Sequence, residues 1–155
     1  MKRSASTRRA RQPIDDTLLK TMTLAPYGGE LVDRTADAEA LAAAGKVRHV
    51  VPLIHESAIN LCNIATGAYS PLVGFMTQAE CDSVVSTCRL PSGLHWTVPV
   101  LLHLPDGVAD DVALGDTLAL SDDAGTTVAT MSVESLYTID PQAYCRSVFG
   151  TDSDQ

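Results

Sequence analysis

Ala65-Thr66-Gly67-Ala68-Tyr69-Ser70-Pro71-Leu72-Val73-Gly74-Phe75-Met76 is the stretch on which the reading of this chain turns. Pro71 fixes its own φ and pushes Ser70 toward extended backbone. Gly67 and Gly74 permit a positive φ or a close backbone approach. Between them Tyr69, Leu72, Phe75 and Met76 supply apolar anchors. Such a segment reads as a rigid, packed loop without a reactive group.

Working outward, both flanks read as helices. His55 to Thr66 carries Ile54, Ala58, Leu61, Cys62 and Ala65 at helical spacing, with Gly67 placed to end the helix. Thr77-Gln78-Ala79-Glu80 is a capping box, in which the Thr hydroxyl and the Glu carboxylate each satisfy an orphan backbone N–H. Behind it Cys81, Val84, Val85 and Cys88 form one apolar stripe. A short Ala-rich helix is expected from Asp37 to Ala44, stopped by Gly45. Asp140-Pro141 places an N-cap before Pro at N1 and opens a last helix toward Gly150.

The strands are expected in the second half. Trp96, Val98, Val100, Leu102 and Leu104 alternate with Thr97, Pro99, Leu101 and His103, and Pro99 demotes this run to an edge or bulged strand. Thr117–Leu120 and Thr127–Val133 flank a Gly-containing turn and read as a β-hairpin. Helices set among short strands, without regular βαβ alternation, point to a mixed α+β domain.

Four segments also carry a resemblance. The opening stretch is similar to Gly-Ala-Phe/Tyr-Ser-Pro-Leu-x-Gly-Phe-Met, a signature of the N-terminal, PUA-like domain of ATP sulfurylase (sulfate adenylyltransferase). Pro26 to Arg34 resembles that family's Pro-x-Gly-Gly-x-Leu-Val-x-Arg, and Arg89 to Val100 its Arg-Leu-x-x-Gly-x-x-Trp-[Ser/Thr]-x-Pro-[Ile/Val]. Val148-Phe149-Gly150-Thr151 resembles its Val-Tyr-Gly-Thr. The resemblance implies a PUA-like small mixed β-barrel with inserted and flanking helices. It divides the chain into a basic tail at 1–23, the domain at 24–152 and a C-terminal end at 153–155. In the family a second domain carries Gln-x-Arg-Asn-Pro, paired histidines and Gly-Arg-Asp-His-Ala-Gly; none of these occurs in this sequence. The implied role is therefore non-catalytic: a scaffold for a separate sulfurylase catalytic chain, or a homo-oligomer.

Charge narrows the partners. Residues 1–12 hold Lys2, Arg3, Arg8, Arg9 and Arg11 and no acid. The other six basic residues face 19 acidic ones, so the body carries −13 and the 155-residue chain −8. An acidic body disfavours a broad nucleic-acid surface, which needs a cationic face. The alternative class, a stand-alone RNA-binding module, would rest on the Arg-rich tail. Two Phe and one Trp make a poor stacking platform. No apolar run reaches the length of a transmembrane helix, and a cytoplasmic protein is the expectation.

The candidate chemistry is thin. Cys62, Cys81, Cys88 and Cys145 lack metal or Cys-x-x-Cys spacing and read as core thiols. His49 and His55 are split by Pro52, His103 lies on the polar parity of its run, and His95 adjoins Trp96. Gly28-Gly29 reads as a tight turn rather than a phosphate loop. Arg34 is expected to pair with Asp33, with an acidic partner surface, or with water. Asp106, Asp110, Asp111, Asp116, Asp122 and Asp123 lack EF-hand spacing and read as solvated loops. No catalytic, cofactor-binding or metal residue is assigned, and no cofactor is expected. Gly67–Met76 and Leu94–Pro99 are the candidate packing surfaces, with internal core as the competing reading.

Overall fold

A computed structural model describes residues 24–36, 39 and 47–151. The expected basic tail, the helix from Asp37 to Ala44 and residues 153–155 lie outside the described residues, Glu39 aside. The described chain forms a three-stranded mixed sheet and four helices. In chain order these are β1 (His49–Pro52), α1 (His55–Ala65), α2 (Gln78–Thr87), α3 (Asp106–Ala109), β2 (Thr117–Ser121), β3 (Thr127–Ser132) and α4 (Pro141–Phe149).

The sheet order is β1-β2-β3. β2 and β3 are the expected hairpin, antiparallel with a register shift at Leu120/Ser121. Asp122 closes its turn by accepting from the Ala124 and Thr126 N–H groups. β1 runs parallel to β2, with Val51 opposite Leu120. It was not among the expected strands. Four residues with a partner far along the chain carry too little local periodicity to register. β1 and β3 are edges among the described residues, and no closed barrel is found there: the α+β class holds and the barrel is not detected.

The run from Trp96 to Leu104 is a second correction. It joins no named strand and bends at Val98; its ladder contact is the Arg89–His95 bridge just before it. Alternation gave it two faces but no neighbour to bond. It runs between two cores instead. Leu102 and Leu104 pack with Val51, Leu53, Val112, Leu118, Leu120 and Val133 of the sheet core. Trp96, Val100 and Leu101 pack with Ile64, Leu72, Met76, Val84 and Leu90 of a second core. Phe75, from the signature loop, touches both.

The helices form for the expected reasons. Both halves of the capping box are made, with Thr77 N–H donating to Glu80 and the Glu80 N–H donating back to the Thr77 hydroxyl. Cys81 and Val84 are buried, whereas Cys88 is the exposed C-cap in a left-handed conformation. Asp140 caps α4 by accepting from Gln142 and Ala143, and Gly150 ends it at φ 70°. α1 presents a different face from the one expected. Ser57 and Ile64 are buried and Leu61 packs on the sheet core, while Ile54, Ala58 and Cys62 are exposed. A serine took an inward position, so apolar spacing pointed about one residue away.

Candidate functional site

Three of the four recognised segments meet on one side of the second core. Gly67 follows the C-cap of α1 at φ 76°, and Ser70 and Pro71 are joined by a cis peptide. The buried Ser70 hydroxyl donates to the Gly67 carbonyl at 2.7 Å and accepts from the Val32 N–H at 3.0 Å. Arg34 N–H donates to the Ala65 carbonyl at 2.8 Å. The 26–34 segment is thus laced along the loop, with the expected Pro26–Gly29 turn at its start. A Cβ on Gly67 would stand 2.6 Å from Leu31 Cδ1 and 3.0 Å from the Val32 carbonyl oxygen. One on Gly28 would meet Pro71 and Leu94 at 3.2 Å. At the far end, Met76 N–H donates to the Val100 carbonyl at 2.9 Å, and Tyr137 Oη donates to the Met76 carbonyl at 3.1 Å.

The 89–96 segment folds into a tight hairpin. Leu90 N–H donates to the Leu94 carbonyl and Trp96 N–H to the Cys88 carbonyl, each at 2.9 Å. Arg89 donates through one nitrogen to the Gly93 carbonyl at 2.7 Å and through another to His95 Nε2 at 2.8 Å. A guanidinium has only donors, so His95 Nε2 is the acceptor in this contact and the ring proton is on Nδ1.

These pieces wall a cleft of about 420 Å³. Tyr27 enters from the N-terminal segment, Glu56 and Asn60 from α1, Tyr69 from the signature loop, and His95 to Val100 from the strap after the hairpin. Tyr69 and Trp96 meet edge to face at 5.8 Å between ring centres. Tyr27 Oη donates to the His95 carbonyl at 2.8 Å, Tyr69 Oη to Asn60 Oδ1 at 3.3 Å and Trp96 Nε1 to the Val98 carbonyl at 2.9 Å. Glu56 lies in the first turn of α1, where the helix dipole favours a carboxylate. It makes no hydrogen bond or ion pair among the described residues. Arg89, committed to its hairpin, does not line the cleft.

The remaining sequence candidates are dispersed. Among the described residues no three His, Cys, Asp or Glu side chains stand close enough to hold a metal. Cys62 and Cys88 are exposed rather than core thiols, Cys145 is partly buried, and Cys81 is buried. Burial pushes the Cys81 thiol up, against a Tyr137 hydrogen bond that pulls it down, so its reactive thiolate is disfavoured. Burial also pushes Tyr137 well above the ordinary tyrosine range, with Cys81 the next cause. His49 faces Asp116 at 3.8 Å. Asp116 keeps its place in a loop with a 39% exposed side chain, and it also accepts from the Ala113 N–H. Asp33 pairs with Thr35, which donates through its N–H and hydroxyl, rather than with Arg34. Those bonds hold the Asp33 carboxyl below its usual range. Arg34 lines a smaller cavity of about 140 Å³ between α1 and β3. His103 is exposed, as its parity indicated.

The candidate packing surfaces are divided. Ser70, Leu72 and Met76 are buried in the loop and Pro99 and Val100 in the strap, whereas Val73 and Val98 are 61% and 45% exposed. Glu56 and Asn60 escaped the sequence reading because they lie on the helix whose face was misassigned. The aromatic signal was present in Tyr27, Tyr69 and Trp96, each inside a recognised segment.

Known proteins place this arrangement. The sulfate adenylyltransferase of Persephonella marina is 34% identical over 131 residues, covering 83% of this chain and 34% of that protein. That of Symbiobacterium thermophilum is 40% identical over 132 residues, covering 83% and 33% respectively. A solved structure titled hexameric APS kinase from Thiobacillus denitrificans superposes with a TM-score of 0.67 at 34% identity, over 74% of this chain and 24% of that one. The chain spans about a third of the length of the curated relatives it matches. A family model described as a PUA-like domain matches residues 24–155. The loop, the strap and the turn that wall the cleft are thus parts of one inherited framework: the chain belongs to the PUA-like domain family, and it matches the N-terminal third of sulfate adenylyltransferases.

Proposed function

We propose that residues 24–152 act as the non-catalytic module of a sulfate adenylyltransferase, packing against a catalytic domain that carries the chemistry. In the resembled family the whole enzyme joins ATP and sulfate into adenosine 5′-phosphosulfate and pyrophosphate. The observation that carries the reading is the 34–40% identity to sulfate adenylyltransferases over more than four-fifths of this chain. The chemistry argues in the same direction. Placing a sulfate oxygen on the α-phosphorus concentrates negative charge, which calls for Arg, Lys or Mg²⁺ around the phosphates. The cleft offers Glu56 and aromatic rings instead. Val73 and Val98 give the loop and the strap exposed apolar side chains through which a packed neighbour would be held.

The test has two arms. Purified chain with Mg-ATP and sulfate is expected to release no pyrophosphate above background, and sustained turnover would overturn the non-catalytic assignment. The tagged chain recovered from its own host is expected to bring down a protein bearing the Gln-x-Arg-Asn-Pro motif in stoichiometric amount. Recovery without such a partner would overturn the scaffold assignment.

A further inference from the structure

α4 buries none of its residues fully. Its apolar side chains, Tyr144, Cys145, Val148 and Phe149, recur at i, i+1, i+4 and i+5 and form one stripe, with Arg146 and Ser147 off it. α2 packs against this helix. Burial pushes the Tyr144 hydroxyl up, with Cys81 of α2 and then Glu56 of α1 adding to the rise, so the Tyr144 border of the stripe lies toward those two helices. Phe149 forms the other border. It meets Tyr144 edge to face at 6.2 Å between ring centres and is 59% exposed. A helix this short gains little from its backbone alone and is held by the packing of its apolar face. Asp140 and Gly150 cap both ends of α4, yet the Phe149 side of that face lies open among the described residues.

The relatives supply the neighbour. The family match runs to residue 155, past the end of α4, and the matched region is the N-terminal third of sulfate adenylyltransferases. In those proteins the remaining two-thirds therefore follow the C-terminus of this helix. Gly150, at φ 70°, turns the backbone there, next to Phe149. A domain that begins at that point starts beside the exposed ring.

We propose that the Phe149 side of α4 is a docking surface for the catalytic domain of a sulfate adenylyltransferase, with Phe149 as its anchor. This rests on the module reading above and gives that packing a place. An aromatic ring backed by a second ring within an apolar stripe is the kind of side chain that anchors an interface.

The full chain, tagged at its N-terminus, is recovered from its own host as wild type, Phe149→Ser, Phe149→Tyr and Leu114→Ser. Leu114, 66% exposed in the turn before β2, is the control. Wild type, Phe149→Tyr and Leu114→Ser are expected to bring down the protein bearing Gln-x-Arg-Asn-Pro in equal amount, and Phe149→Ser about tenfold less. Hydrogen exchange of the wild-type chain, alone and with the captured protein, reads the same surface without a substitution. Slowing is expected over residues 144–151 and not over the 122–126 turn. Equal capture by Phe149→Ser, or slowing that spares 144–151, would overturn the docking surface and leave the module reading standing. If wild type captures no such protein, or only a second copy of itself, both are overturned.

Discussion

In the sheet half of the molecule, Val51, Leu118 and Leu120 lie behind a backbone ladder that depends little on which apolar residue occupies each position. In the loop half, Leu72, Met76 and Val100 are buried too, but the chain around them is held by particular atoms: a serine hydroxyl, a methionine carbonyl, and the missing Cβ of a glycine. A ladder tolerates many sequences and a keyed loop tolerates few. The recognisable signature therefore lies in the loop half, and a sheet core of equal quality left no motif.

The contrast can be tested by breaking each half in its own manner. The largest effect is expected from Leu120→Ala, which empties a fully buried position between β1 and β3. A loss of about 3–4 kcal/mol in denaturant unfolding is typical of such a cavity. Leu120→Ile should recover most of it, as a ladder-backed core permits. Next comes a pair of glycines with nearly the same backbone. Gly67 and Gly125 have φ of 76° and 79°, but a Cβ at Gly67 meets Leu31 and Val32 whereas one at Gly125 meets nothing within 4 Å. Gly125→Ala should cost about 1 kcal/mol for the left-handed conformation alone, and Gly67→Ala about 1–2 kcal/mol more. Equal losses would show that the loop yields as easily as a hairpin turn.

Ser70→Ala is the purest test of keying, since it removes no apolar packing. It leaves the Val32 N–H and the Gly67 carbonyl without their hydroxyl partner, and a loss of about 1–2 kcal/mol is expected. The smallest effect concerns pH. The Asp33 carboxyl is held below its usual range by the Thr35 hydroxyl and N–H, so its contribution is present above the ordinary carboxylate pKa and disappears as pH falls through the depressed value. Because Asp33 is fully exposed, Asp33→Asn should only slightly flatten the acid limb of a Tm-against-pH curve. A steeper limb in the variant would reverse the sign of that contribution.

The same contrast explains what could be read beforehand. The capping box at Thr77, the turn at Asp122–Gly125 and the Asp140-Pro141 start of α4 are local devices, complete within a few residues, and all are present. β1 was missed because its partner lies beyond residues 53–116. Alternation over Trp96–Leu104 predicts a strand that does not pair, because it reports faces and not hydrogen bonds. The cleft was half legible. Its aromatic wall lies in recognised segments, but Glu56 and Asn60 depend on the rotation of α1, which the buried Ser57 had disguised.

The parallel pairing of β1 with β2 has a consequence in time. The β2–β3 hairpin needs only a five-residue turn to close, so it can form at once from neighbouring chain. β1 can join only after residues 53–116 have been gathered into a loop, at an entropic cost that is recovered late. The signature loop, the strap and every described wall of the cleft except Tyr27 lie inside that span. Gathering the residues of the candidate site into a loop is therefore a precondition for attaching β1, and the β2–β3 hairpin is the element that can close without them.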